Sequence, residues 1–206
     1  MSTFFTSDLH LSHRLVSGLR GFWRIDQDGV KVPDTESHDT ALQLNWLWQV
    51  QPEDTVWVLG DLSINSGPQV VEILKDLPGH KHLVSGNHDK SHTVIGGKRA
   101  PAKIEEWSQI FESIQDEAII EIAGKKVTMS HFPFWSMGDG ARAAADGYVS
   151  RYEKLRPWEG EDTILLYGHI HDPVREQGRT MHVGLDGWDL RLVPMETIEA
   201  WVRTLD

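Results

Sequence analysis

His82-Leu83-Val84-Ser85-Gly86-Asn87-His88-Asp89 passes without a spacer from an apolar run to a cluster of small and polar residues. The apolar part predicts a short buried strand. Glycine lets the backbone turn tightly where a strand ends. Asn, His and Asp just past that end can be held rigidly toward a common point. The same arrangement recurs on either side. Thr3 to Ser7 is β-rich and runs into Asp8-Leu9-His10, and Thr55-Val56-Trp57-Val58-Leu59 runs into Gly60-Asp61. Further on, Lys126 to Met129 delivers Ser130-His131, and Thr163 to Tyr167 ends in Gly168-His169-Ile170-His171. Side chains at strand C-termini can converge on one edge of a sheet.

Around these strands the pattern is helical. Glu36 to Val50 carries Ala41, Leu44, Leu47 and Trp48 at helical spacing. Pro68 to Leu77 reads as a helix with proline in its first turn and Pro78-Gly79 as its stop. A helix is expected around Ile104 to Phe111, and another over Glu196 to Leu205 with Ile198, Trp201, Val202 and Leu205 on one face. Ala118 to Ile122 pairs with Lys126 to Met129 through a Gly124-Lys125 turn. Thr180 to Leu185 and Leu190 to Val193 are strand-like. Residues 20–34, with Gly21, Asp28-Gly29 and Pro33, form a loop with room for a hairpin turn. Residues 132–162 read as a long loop with a helical piece near Ala141 to Ala145, and long loops often carry function. No repeat or dividing linker interrupts the chain, so one domain over residues 1–206 is expected.

Charge and composition narrow the chemistry. A formal net charge of −11 argues against a broad surface for duplex nucleic acid, because neutralising phosphates needs clustered Lys and Arg. The absence of cysteine excludes disulfides, Cys-ligated zinc, iron–sulfur clusters and a thiolate nucleophile, and fits a reducing cytosol. No apolar run approaches the roughly 18 residues that cross a bilayer. The stretch after Met1 lacks a basic n-region and a long apolar h-region. A cytoplasmic protein with no membrane partner is therefore expected. Eleven histidines against 20 Lys plus Arg point to metal chemistry, since histidine is the commonest side-chain metal ligand.

Asp8 and His10 are spaced i, i+2, and so are His169 and His171. If the strands continue, each pair points to one face and can share an ion. Gly60 and Gly168 precede these polar groups, as expected where backbone approaches a site closely. With Asp61, Asn87 and His131 the set offers oxygen and nitrogen donors, suited to Mn, Fe, Zn or Mg.

The order Asp-x-His, Gly-Asp, Gly-Asn-His-Asp, His and Gly-His-x-His resembles the calcineurin-like metallophosphoesterase superfamily, in its compact bacterial and phage form, from Asp8 to His171. The resemblance implies an α/β fold, a four-layer α/β/β/α sandwich of two mixed β-sheets flanked by helices, with two divalent metal ions at the strand ends. It implies that Asp8, His10 and His171 hold the first ion, that Asn87, His131 and His169 hold the second, and that Asp61 bridges them. His88 is then the catalytic histidine near the leaving oxygen, oriented by Asp89. Two ions about 3.5–4 Å apart can clamp the attacking and leaving oxygens of an in-line displacement. Mn2+ is the favoured ion, with Fe, Zn, Mg or Ni as alternatives. His88 can donate to the phosphoryl oxygen or protonate a departing alkoxide.

The resemblance points to a phosphodiesterase acting on a small diester, with cyclic nucleotides (2′,3′-cyclic first, 3′,5′-cyclic second) as the foremost class. Gly60-Asp61 is followed by Leu62-Ser63-Ile64 and not by the Asp-Arg-Gly of the superfamily's protein phosphatases. Phosphomonoesters and nucleotide polyphosphates are the alternative substrates. A non-catalytic scaffold of the same fold is a further alternative, against which the complete ligand set stands. A metal-dependent amidohydrolase would need a barrel of about 250 residues. His80, His82, His92 and His182 are read as structural or exposed. Trp23, Trp135 and Trp188 are candidates for a base pocket, and Arg14, Arg20 and Lys90 for phosphate contacts, against packing and solvated charge as the plainer roles.

Overall fold

The computed structural model describes residues 1–64, 67–147 and 152–205, and it builds two five-stranded mixed sheets. In the first, β1 (Thr3–Thr6), β4 (Thr55–Val58), β5 (His80–Val84) and β6 (Ser113–Gln115) lie side by side and parallel. β12 (Val193–Pro194) pairs antiparallel with the other edge of β1. In the second, β8 (Lys125–Ser130), β9 (Ile164–Tyr167) and β11 (Thr180–His182) are parallel neighbours. β7 (Glu117–Ile122) and β10 (Glu176–Gln177) flank them antiparallel. A separate hairpin, β2 (Trp23–Ile25) and β3 (Lys31–Pro33), fills the predicted 20–34 loop.

Period-two alternation sorts the side chains into layers. Phe4, Val56, Val58 and Leu83 face a cluster with Leu42, Trp46, Leu74 and Trp107. These come from α2 (Thr35–Gln49), α3 (Pro68–Asp76) and α5 (Ala100–Trp107). Phe5, Val84, Met129, Ile164 and Leu166 face the space between the sheets, joined by Ile198 and Trp201 of α7 (Met195–Val202). Leu165 and Tyr167 point the other way, onto Phe134 and Met137 just before α6 (Gly138–Asp146). The strand β9 is thus buried on both faces, which is why it reads as a continuous apolar run. The expected architecture of two mixed sheets flanked by helices is the observed one. Among the described residues no helix is long and apolar enough to cross a membrane.

Boundaries differ where local chemistry is special. The β7–β8 turn is Ala123-Gly124, with φ 51° and 78°, a two-residue connection with positive φ at both positions, one residue earlier than Gly124-Lys125. The short helices α1 (Arg14–Leu19) and α4 (Thr93–Gly96) carried no periodic signal, being too short for one. α5 lies about a turn earlier than expected because Pro101 opens it in its first turn. The predicted strand Thr180–Leu185 stops at His182, and Leu185–Gly187 forms a 3-10 turn. Leu190, at φ 60°, cannot belong to a strand, so the last pairing begins only at Val193. Of the 132–162 loop, residues 148–151 lie outside the described residues. The rest contains α6 and a 3-10 turn at Glu153–Leu155.

Candidate metal centre

The polar strand ends meet at one edge of the molecule, past the C-termini of β1, β4, β5, β8 and β9. The i, i+2 pairs come together by a different route from the one their spacing suggests. β1 has ended at Thr6, and Asp8 and His10 stand at φ 59° and 47°. His169 and His171, beyond β9, stand at φ 73° and 49°, and Asp61 at φ 55°. Alternate left-handed residues, not a continued strand, aim each pair inward. Such a conformation costs a non-glycine residue roughly 1–2 kcal/mol, so surrounding bonds must enforce it. The Asp8 N–H donates to the Gly60 carbonyl at 3.0 Å, the His10 N–H to Asp61 O at 3.0 Å and the Leu11 N–H to Leu62 O at 2.9 Å. Gly60 itself, at φ 84°, has no room for a side chain: a Cβ would lie 2.6 Å from Gly86 Cα and 2.7 Å from His131 Nδ1.

Two donor clusters result. In the first, His10 Nε2 and His171 Nε2 are 3.1 Å apart, and Asp8 Oδ1 is 3.7 Å from the former and 3.8 Å from the latter. In the second, Asn87 Oδ1 lies 2.9 Å from His131 Nε2 and 2.7 Å from His169 Nδ1. Asp61 stands between them, Oδ2 at 3.7 Å from His10 Nε2 and Oδ1 at 3.5 Å from His131 Nε2. Asp8 faces both groups, since one donor each from Asp8, Asp61 and His131 also fall within 4.8 Å of one another.

These donors fit divalent cations. His131 Nδ1 lies 2.8 Å from the Leu59 carbonyl oxygen and must donate to it, leaving a lone pair on Nε2. That lone pair faces the Asn87 carbonyl oxygen, acceptor against acceptor. Asp8 Oδ1 is buried with no hydrogen-bond partner among the described residues. Two nitrogens at about 2.1 Å from one ion and near a right angle stand about 3 Å apart, close to the His10–His171 separation. Burial, with Asp89 and Asp8 nearby, pushes the Asp61 carboxyl well above its ordinary value. Burial alone would also raise Asp8, but the facing His10, His131 and His171 rings outweigh it and hold that carboxyl well below the usual range. Burial pushes His10 down to about 4, so its ring is a neutral donor at ordinary pH.

Neighbouring residues depart from expectation in instructive ways. Asp89 does not orient His88. Its oxygens accept the N–H groups of Asp61 and Gly86, each at 2.8 Å, and of Leu62 at 3.1 Å, tying the Gly-Asp turn to the Gly-Asn-His-Asp turn. The His88 N–H donates to Asp61 Oδ1 at 2.8 Å, and its ring, with a side chain 37% exposed, stands at the mouth with Nε2 3.8 Å from Asp61 Oδ2. Arg20 is not a surface phosphate contact but a buried group bonded to Asp186; Arg14 and Lys90 are exposed. Trp23 stacks under Lys31, Trp135 under Arg156 and Trp188 under Arg175. The aromatic rings against the centre are instead Phe132 and Tyr152, with centroids 5.2 and 5.7 Å from that of His169. His13, 5.2 Å from the His10 ring, caps α1 beside the same mouth. His80 pairs with Glu112, His82 stacks on Trp57 and His92 caps α4, all apart from the donor clusters. His182 is fully buried and neither ring nitrogen has a hydrogen-bond partner among the described residues.

Asp186, Tyr152 and His13 carried no motif signal, and Arg20 was read for phosphate and not for Asp186. Asp186 follows a run of strand composition, and a ring that packs on a ligand has no fixed spacing from it.

The description "Calcineurin-like phosphoesterase superfamily domain" matches residues 1–185. The chain is 32% identical over 213 residues to the Gene 66 protein of Mycobacterium phage L5, covering 96% of this chain and 92% of that one. It is 31% identical over 219 residues to the Gene 66 protein of Mycobacterium phage D29, covering 100% and 98%. A solved structure of a protein of unknown function from Aquifex aeolicus matches at a TM-score of 0.63 and 25% identity, over 97% of this chain and 98% of that one.

Proposed function

The chain belongs to the calcineurin-like phosphoesterase superfamily, and from that membership we propose that it hydrolyses small phosphodiesters, cyclic nucleotides foremost, with a pair of divalent cations. The observation that carries the reading is Asp61, whose two oxygens face two separate donor clusters. Asp8, His10 and His171 would hold one cation and Asn87, His131 and His169 the other, with Asp61 available to both. When bound, the pair supplies Lewis acidity and an activated water for in-line attack on phosphorus. Mn2+ suits this mixed carboxylate, amide and imidazole set.

The chain's own groups do the rest. The main chain of Leu59 fixes the His131 tautomer, and Asp89 fixes the backbone that carries Asp61 and Asn87. Asn87 contributes an oxygen without adding negative charge to a site that must accept a phosphate. Burial, then the neighbouring His131, His13 and His169 rings, pushes His88 below its ordinary value. Half-exposed at the mouth, His88 can hold a proton toward the leaving oxygen and release it as the ester bond breaks. A ring-strained 2′,3′-cyclic diester asks least of that proton. A net charge of −11 favours a small substrate over a duplex.

The test is a panel: a bis-aryl phosphodiester, 2′,3′- and 3′,5′-cyclic nucleotides, phosphomonoesters and nucleotide polyphosphates, with Mn2+ and with chelator. Diester hydrolysis lost on chelation and restored by Mn2+ is expected. Full activity in protein shown metal-free by elemental analysis overturns the metal mechanism, and faster turnover of monoesters or polyphosphates overturns the diester reading.

A further inference from the structure

Behind the Asp8, His10 and His171 cluster sits a guanidinium with no N–H to spare. Arginine offers five N–H donors, and in Arg20 each has an acceptor. Nε donates to Asp186 Oδ1 at 2.9 Å and Nη2 to Asp186 Oδ2 at 2.7 Å, a two-pronged pair between residues 166 apart in the chain. Nη2 also donates to the Asp8 carbonyl at 2.8 Å, and Nη1 to the Leu9 carbonyl at 3.3 Å and to His38 Nε2 at 3.1 Å. The Arg20 side chain is 4% exposed. Asp186 Oδ2 in turn lies 2.8 Å from His171 Nδ1. Beyond His38, its Nδ1 donates to Asp39 Oδ1 at 2.8 Å, and Asp39 accepts the backbone N–H and hydroxyl of Ser12.

We propose that Arg20 and Asp186 are a positioning pair that sets chiefly the cation affinity of the Asp8/His10/His171 half, the Asn87/His131/His169 half feeling them only through Asp8. The proposal rests on the dinuclear reading above. Asp186 fixes the His171 ring at the rim, where it is 35% exposed, and directs Nε2 inward. A carboxylate on the far nitrogen also strengthens an imidazole as a donor. Arg20 pins the carbonyls of Asp8 and Leu9, in the left-handed stretch that has no strand to hold it. The guanidinium further keeps the partly buried Asp186 carboxylate from standing uncompensated. A lysine cannot replace it, having a point charge where the fork is needed. Across the centre, His131 leans on a main-chain carbonyl, which no side-chain substitution removes.

The experiment is Mn2+ titration by calorimetry, with elemental analysis of metal content, in single-half backgrounds. In His131→Ala, where the first half remains intact, adding Asp186→Asn is expected to weaken Mn2+ about 10–100-fold. In His10→Ala, where the second half remains intact, Asp186→Asn is expected to weaken Mn2+ no more than about threefold, because Asp186 bonds no ligand of that half directly and the halves couple only through Asp8 and Asp61. Arg20→Lys should repeat the pattern, and it carries the comparison if Asp186→Asn fails to fold by circular dichroism. Wild type binding fewer than two equivalents overturns the dinuclear reading itself. Wild type binding two, with both backgrounds weakened alike or neither weakened, overturns the positioning role alone.

Discussion

The two halves of the centre are held in place by different means. The Asp8/His10/His171 half stands on a buried ionic chain running from Asp186 through Arg20 and His38 to Asp39. The Asn87/His131/His169 half stands on the Leu59 carbonyl and on two aromatic rings, Phe132 and Tyr152, packed against its imidazoles. Both halves draw ligands from both sheets, but in the first all three side-chain ligands, Asp8 and His10 past β1 and His171 past β9, stand on left-handed residues, with Asp8 and His171 163 residues apart. Charged side chains with long reach span that junction. The second half carries His131 directly after a strand, where the ladder already fixes the backbone, and aromatic packing adds to the Asp89 bonds beneath Asn87 and to the His169 N–H bond on Asp8 Oδ2. Ionic support responds to pH and to charge removal, whereas packing responds to volume.

Asp61 belongs to both halves, and its loss should have the largest effect. Asp61→Ala removes an oxygen from each cluster and also the acceptor of the His88 N–H. Both cation equivalents should be weakened together, with diester turnover down on the order of 10³-fold or more under limiting metal. Elemental analysis after gel filtration reads the first and steady-state kinetics the second. Retention of one equivalent at wild-type affinity would show that Asp61 serves a single half and that the comparison is drawn at the wrong residue.

The centre was more legible in the sequence than its supports. Asp8, His10, Asp61, Asn87, His131, His169 and His171 were readable because each follows a β-rich run at fixed spacing. The structure brings their donor atoms together, though the geometric reason for two pairs differed. A period-two argument assumes extended backbone, and Asp8, His10, His169 and His171 are left-handed. Asp89 was readable as a motif member but not in its partner, since a carboxylate two residues past Asn87 can turn to a neighbouring ring or to backbone N–H groups, and only the fold decides. Arg20 was readable only as a phosphate candidate, and its pairing with Asp186 was invisible, because a pairing across most of the chain leaves no local pattern. The layer order was legible only through the family resemblance, and alternation in Phe4-Phe5 and the doubly buried run of β9 account for it in the structure. The 3-10 turn at Leu185–Gly187 was not, because Val183 to Leu185 has strand composition.

A pH series should separate the halves with a smaller effect. Burial alone would lower His171, but the bond to Asp186 and the Asp8 charge outweigh it and hold its value above the ordinary 6.5. A raised value means the proton is held at higher pH and competes with a cation until it leaves. Mn2+ affinity of the first half should therefore fall as pH drops from 8 to 6, by up to about tenfold per unit where one proton is displaced. In the His131→Ala background calorimetry should show that slope. In the His10→Ala background the raised Asp61 carboxyl that both halves share remains, but the His171 held up by Asp186 is no longer a ligand of the intact half, so the dependence should be shallower. Equal slopes in the two backgrounds would show that the Asp186–His171 pair adds no pH dependence of its own and remove the charge argument for the first half.

The smallest expected effect tests the packed half. The Tyr152 ring lies 5.3 Å from that of Phe132 and meets His169 edge-on at 5.7 Å. Such aromatic contacts are worth about 0.5–1.5 kcal/mol each, which corresponds to a few-fold in affinity. Tyr152→Ala in the His10→Ala background should therefore weaken Mn2+ about three- to tenfold and leave the first half, measured in His131→Ala, unchanged. Trp135→Ala, whose ring stacks with Arg156 instead, should change neither. Tyr152→Phe keeps the ring and discards the hydroxyl, so it should bind as tightly as the parent. If it loses as much as Tyr152→Ala, the hydroxyl and not the packed ring supports His169, and the second half depends on polar bonds as the first does.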